Sequence, residues 1–190
     1  MKKILFLVAV ILICFAITAE GAKKKKKVKK EVRTIEQFIP AIKQGYAREL
    51  LYKTDEYLVA FYKVFGNEAQ RLKILNQTVE HIFKEYDTEQ GEKCRANDML
   101  LHAKEFLHFI QDLCGFYDIQ FKHTLSKSLR ERFDINKDDA IDKEEMEEFV
   151  KLLFELMLEE EDKAYKNLKA EEARERAKLQ AEKALKDSLA

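Results

Sequence analysis

The stretch RFDINKDDAIDKEEMEEF, residues 132–149, decides how the chain is read. It crowds side-chain oxygens at Asp134, Asn136, Asp138, Asp142 and Glu145 into twelve consecutive positions between two apolar, helix-like runs. Like charges held that close repel one another and destabilise a loop unless something cancels them. A bound cation would do so. Oxygen at alternate positions turns successive side chains about one centre, and the Ala140 carbonyl, seventh from Asp134, adds a donor that needs no side chain.

The flanking runs are amphipathic. Leu125, Leu129 and Phe133 share one helical face before the loop, and Met146, Phe149, Val150, Leu153 and Met157 share one after it. Donors at the first, third, fifth, ninth and twelfth positions, aliphatic Ile141 at the eighth and a terminal glutamate able to bind through both oxygens resemble the calcium loop of the EF-hand superfamily. The resemblance implies a Ca2+ ion held by Asp134, Asn136, Asp138, Ala140, Asp142 and Glu145. One position departs from the pattern. The sixth residue is glycine in the family because the chain turns there with positive φ, and here it is Asp139. Aspartate adopts that conformation at a cost of about 1 kcal/mol, so a weakened site is expected.

EF-hands occur in pairs, and a second is sought upstream. Aligning Asp87 with Asp134 sets Tyr86 on Phe133, Ile82 on Leu129, Met99 on Met146, Ala103 on Val150 and Phe106 on Leu153. In the loop DTEQGEKCRAND, Asp87 and Glu89 are in place, but Gly91 stands fifth, Arg95 ninth and Asp98 twelfth. This reads as a degenerate partner that holds no calcium. Cys94, at the inward eighth position, is expected to pair with Ile141 across a short two-stranded link.

The rest of the chain fits an all-α class, an EF-hand pair with additional N-terminal helices and a long charged C-terminal helix. One proline and five glycines in 190 residues argue against sheet-and-turn architectures. Residues 1–21 read as a secretory signal peptide, two lysines followed by an apolar run from Ile4 to Ile17 and small residues near Gly21. That run would make a helix of about 21 Å, short of the ~30 Å needed to span a bilayer as an anchor. Residues 22–33 carry KKKKKVKK, expected to be a disordered basic tail able to meet an anionic surface by charge, without the interleaved aromatics of specific nucleic-acid binding. Residues 34–65 read as helix in two pieces, bending at Pro40 or at Lys53–Asp55, with apolar positions from Ile35 to Phe65 forming a core face. Gly66 and Asn67 are expected to stop that segment and cap the next helix.

The pair is placed at 66–158, and 159–190 reads as a solvated helical extension with a coiled coil as the alternative. Opposite charges four apart support that helix: Glu159 with Lys163, Asp162 with Lys166, Glu172 with Arg176, Glu182 with Lys186. Export would leave Cys94 and Cys114 in an oxidising compartment. NDMLLHAKEFLHFIQDL between them reads as one helix, which would hold them more than about 20 Å apart and forbid a disulfide. Asn76-Gln77-Thr78 is an N-glycosylation acceptor. His81, His102, His108 and His123 show no metal-binding spacing, and no nucleophile or glycine-rich phosphate motif occurs.

The expected function is therefore a secreted or lumenal, non-catalytic calcium-binding protein whose apolar groove could take a protein partner. The alternative is a structural or assembly protein that uses calcium as a staple.

Overall fold

The computed structural model describes residues 31–88 and 96–188, so the signal-peptide reading, the basic-tail reading over residues 22–30, and those on Glu89, Gly91, Cys94 and Arg95, fall outside the described residues. Residues 31–33, read as the end of that disordered tail, are instead held to the body: Val32 is buried and its N–H donates to the Gln120 carbonyl at 3.1 Å. The described chain is helical, with α1 Ile35–Leu50, α2 Asp55–Phe65, α3 Glu68–Tyr86, α4 Ala103–Phe116, α5 His123–Phe133 and α6 Lys143–Ser188. Two short strands, β1 Leu101–His102 and β2 Ala140–Ile141, form the one ladder among the described residues.

Local chemistry sets the breaks. Pro40 stays inside α1 on an exposed face, and the N-terminal segment divides after Leu50, where Thr54 caps α2 by accepting from the Tyr57 N–H at 3.3 Å. Asn67 caps α3 in the same way, accepting from the Gln70 N–H at 3.2 Å.

Two helix–loop–helix units, α3–α4 and α5–α6, face each other across the β1–β2 ladder and share one core. Phe149 is its hub. Fully buried, it meets the rings of Phe133 at 5.1 Å, Phe109 at 5.8 Å, Phe106 at 6.1 Å and Phe38 at 6.4 Å. Phe38 comes from α1, which with fully buried Ile42 covers the apolar face of the α5–α6 unit. Close approach is needed to seat α1. A Cβ on Gly45 would stand 2.8 Å from the Tyr117 Cβ, so only glycine lets the helix lie against the end of α4.

The long helix α6 runs without a break through residue 159, so the exit helix of the second unit and the charged extension are one element of 46 residues, about 69 Å. Its first half is packed by α1, α2 and α3; every described side chain from Ala173 to Lys183 is exposed. Of the charge pairs read from sequence, Asp162–Lys166 and Glu172–Arg176 form, whereas Lys163 turns to Glu160 and Glu159 to Lys43 of α1. Leu168 packs against the core and Leu179 is exposed, as suits a helix that leaves the body midway.

The stretch read as one helix before Cys114 is helical only from Ala103, because residues 96–102 are drawn into the turn and ladder. Cys114 itself is a buried free thiol whose pKa burial pushes up to about 12, which makes it a packing residue rather than a nucleophile.

Replacing Phe149 with alanine is expected to lower unfolding free energy by about 3–5 kcal/mol, whereas Leu179→Ala should change it by less than about 0.5 kcal/mol. Urea denaturation midpoints of the two variants check both values.

Candidate metal centre and its twin

The Asp134–Glu145 loop is a closed circuit of carboxylates and backbone amides. Asp134 ends α5, and its two oxygens accept from the N–H groups of Asp138 at 3.1 Å and Asp139 at 3.0 Å. Asn136 Oδ1 accepts from the Asp138 N–H at 2.9 Å, and Asp138 Oδ1 from the Ala140 N–H at 2.9 Å. At the far end Asp142 Oδ1 accepts from the Glu145 N–H at 2.9 Å, while Glu145 Oε2 accepts from the Asp142 N–H at 3.1 Å, a reciprocal capping box that starts α6. Glu145 is buried, and its Oε1 reaches back across the loop to the N–H groups of Ile135 at 2.7 Å and Asn136 at 3.1 Å.

The side chains brought together are those of Asn136, Asp138 and Asp142. The Asn136 amide nitrogen donates to Asp138 Oδ2 at 3.0 Å and reaches Asp142 Oδ2 at 3.5 Å, placing a donor between two carboxylates. Asp134 and Glu145 are held from opposite ends by amides, and Ala140 lies buried in β2. Among the described residues no three His, Cys, Asp or Glu side chains converge into a ready-made metal cage. The donor chemistry nonetheless suits a hard cation. Every candidate ligand is oxygen, and a carboxylate oxygen that accepts one N–H keeps a second lone pair.

Bending the chain this tightly takes two left-handed residues, Lys137 at φ 60° and Asp139 at φ 68°. The second is the position where glycine was missing from the pattern. Arg130, one turn from the end of α5, meets the strain there: its Nη1 donates to the Asp139 carbonyl at 2.6 Å and to Asp139 Oδ1 at 2.9 Å. Sequence reading did not single out Arg130, because a basic residue in the last turn of a helix has an ordinary reason to be there.

The upstream loop is built on the same plan but in a different register from the one expected. Ile141 pairs with Leu101, and Ala140 with His102. The ladder partner of Ile141 is therefore Leu101, seven positions beyond the one expected. The matching carries through the loop. Asp87 accepts from the Met99 N–H at 2.8 Å, as Asp134 does from Asp139, and its other oxygen takes the Asn97 N–H at 2.7 Å, one place before the counterpart of Asp138. Asp98 accepts from the Leu100 N–H at 3.0 Å, as Asp138 does from Ala140. Asn97 at φ 61° and Met99 at φ 65° repeat the bend of Lys137 and Asp139.

Glu105 is the twin of Glu145: nearly fully buried, it accepts from the Thr88 N–H at 3.0 Å and the His102 N–H at 3.0 Å. The twelfth-position acid is thus Glu105 and not Asp98, and Phe106, rather than Met99, matches Met146. His102 stands at the place of Asp142, with Nε2 3.6 Å from Asp98. A short signal was present. Leu101-His102-x-x-Glu105 repeats Ile141-Asp142-x-x-Glu145, an aliphatic residue, a cap and the glutamate that closes the box.

No family model, curated protein or solved structure matches the chain.

Asp139→Gly removes the left-handed strain and an ion pair to a carboxylate that is 91% exposed, and such exposed pairs contribute little. The net result expected is a rise in stability of up to about 1 kcal/mol. Arg130→Ala should lower it by a similar amount, since two hydrogen bonds go; thermal unfolding in chelator checks both signs.

Proposed function

We propose that this chain is a calcium-binding protein of EF-hand type, with one cation site in the Asp134–Glu145 loop and a twin loop that serves as its structural counterpart. The observation that carries the reading is the matched bend. Two loops, each with paired left-handed residues and a closing glutamate, meet through a two-residue ladder, and one of them carries an oxygen-bearing group at each of the six candidate positions.

Asp134, Asn136, Asp138, Asp142 and Glu145 would hold the ion by side chains and Ala140 by its carbonyl. The twin has Ala96 where Asn136 stands and His102 where Asp142 stands, so it lacks two of the oxygens a hard cation requires. Its buried acids are occupied by amides.

The ion would supply positive charge among acids that otherwise repel, and this chain's residues do the rest. Glu145 couples the loop to α6, because the same carboxylate that closes the box sits in that helix's first turn. Phe38 and Ile42 already fill the apolar face that a partner peptide would seek. Calcium would therefore firm a self-filled helical lobe, and a protein partner using that groove would have to displace α1. A site with a strained sixth position suits the roughly 0.1–1 mM affinities of extracellular calcium modules, in keeping with the secretory reading of residues 1–21. Catalysis plays no part in the proposal. Asn76 is exposed on α3 and could take a glycan in that compartment.

Calorimetric titration with calcium should give one site per chain. Glu145→Gln is expected to abolish the heat and Asp98→Asn to leave it unchanged. Undiminished binding by the Glu145 variant would overturn the assignment of the loop.

A further inference from the structure

Away from the loops, one buried acid has no role in the calcium reading. Glu161 lies on α6 with 1% of its surface exposed, at the place where α1 and α2 close over that helix. The Tyr46 hydroxyl of α1, itself buried, donates to Oε1, and Oε2 meets no partner among the described residues. A buried carboxylate with an unsatisfied oxygen destabilises the contact that buries it, whereas the protonated acid does not carry that charge.

Around it the other polar groups are committed elsewhere. On α1, Lys43 pairs with Glu159. From α2, the Tyr62 hydroxyl donates to Asp162 at 2.8 Å, and Tyr57 lies beneath the Lys53 ammonium, 5.2 Å from its ring centre. Tyr117, after α4, sits edge-on to Tyr46 at 6.4 Å. On α6 itself Glu160 pairs with Lys163, and Asp162 with Lys166. Lys53 is the cation whose charge Glu161 feels, and it does not reach Oε2.

We propose that Glu161 and Tyr46 form a proton-operated latch, which fastens α1 and α2 onto α6 in acidic medium and slackens above neutrality. Burial pushes the Glu161 carboxyl from 4.5 up to about 7, against the smaller opposing pulls of the Tyr46 hydrogen bond and Lys53. A raised folded-state value means that the fold holds a proton the unfolded chain gives up. The stabilisation is complete below about 4.5 and is lost as pH rises through about 7. Because Phe38 and Ile42 of α1 cover the apolar face of the α5–α6 unit, slackening the latch would also loosen what fills that groove.

The test is independent of calcium. In chelator, the wild-type Tm should fall between pH 6 and pH 8 by about 3 °C more than that of Glu161→Gln, whose neutral amide stands in for the protonated acid. Hydrogen exchange, corrected for intrinsic rates, should show wild-type protection dropping over that range in α1 and α2, with that of α5 retained. Tyr46→Phe removes the hydrogen bond that favours the ionised form and should move the midpoint to higher pH. Parallel pH dependence of wild type and Glu161→Gln, or uniform loss of protection across all helices, would overturn the latch. The same result in a Glu145→Gln background would show that it operates whether or not the loop binds an ion.

Discussion

The structure depends on how two tight loops dispose of their backbone amides. A loop that bends through two left-handed residues cannot pair its N–H groups with its own carbonyls in any regular pattern, yet buried amides left unpaired destabilise a fold by 1–3 kcal/mol each. In both loops acids supply the missing acceptors. Asp134 and Asp87 take the amides of the bend, while Glu145 and Glu105 reach back from the first turn of the next helix to take those at the loop's start. The acids thus bind the chain to itself before they bind anything else. This accounts for the persistence of the same acids in the twin loop, where two other oxygen positions are missing.

With both loops closed, their exit helices are aimed by the ladder, and the aromatic core follows. Leu101 against Ile141 sets the two units face to face, with α4 packed on α5 and α3 on α6, and Phe106, Phe109 and Phe149 meet as one cluster. What remains is a broad apolar face that two such units cannot close alone. The chain closes it with its own α1, whose approach is permitted by Gly45 and whose Phe38 stacks on Phe149. The N-terminal helices are therefore structural members of the lobe, and α6 is the beam to which every layer is attached.

Much of this was legible in the residues. The helical class, the core face of residues 34–65, the Asn67 cap and the bend at Asp139 all followed from local rules, since periodicity, capping and positive φ are properties of short stretches. The register of the upstream loop was not legible, for a specific reason. Residues 89–95 separate Thr88 from Ala96, seven positions more than the downstream loop has between Ile135 and Asn136. Seven residues are two helical turns, within about 20° of rotation. Shifting the exit helix by that amount lays Met99, Ala103 and Phe106 where Phe106, Ile110 and Leu113 belong and leaves the apolar pattern nearly unchanged. Periodicity cannot separate two alignments that differ by its own period. Only the pairing of Leu101 with Ile141, a long-range fact, breaks the tie. Gly45, Arg130 and Glu161 were hidden for a related reason, each drawing its meaning from a neighbour remote in sequence or from a backbone angle.

The two acidic features of α6 call for different neutralisers, and their settings determine which. At its start, several acids share a largely exposed loop, each already held by N–H donors, and the excess charge is spread over a volume that one divalent ion could occupy. Further along, Glu161 is buried with one oxygen bonded to Tyr46 and the other without a partner among the described residues, so a single proton is the smallest change that removes its charge. Sixteen positions separate Glu145 from Glu161, about 24 Å along one continuous helix. If the loop takes an ion and Glu161 a proton, as proposed, both equilibria would act through one helix on the same packing of α1 without any contact between the two sites.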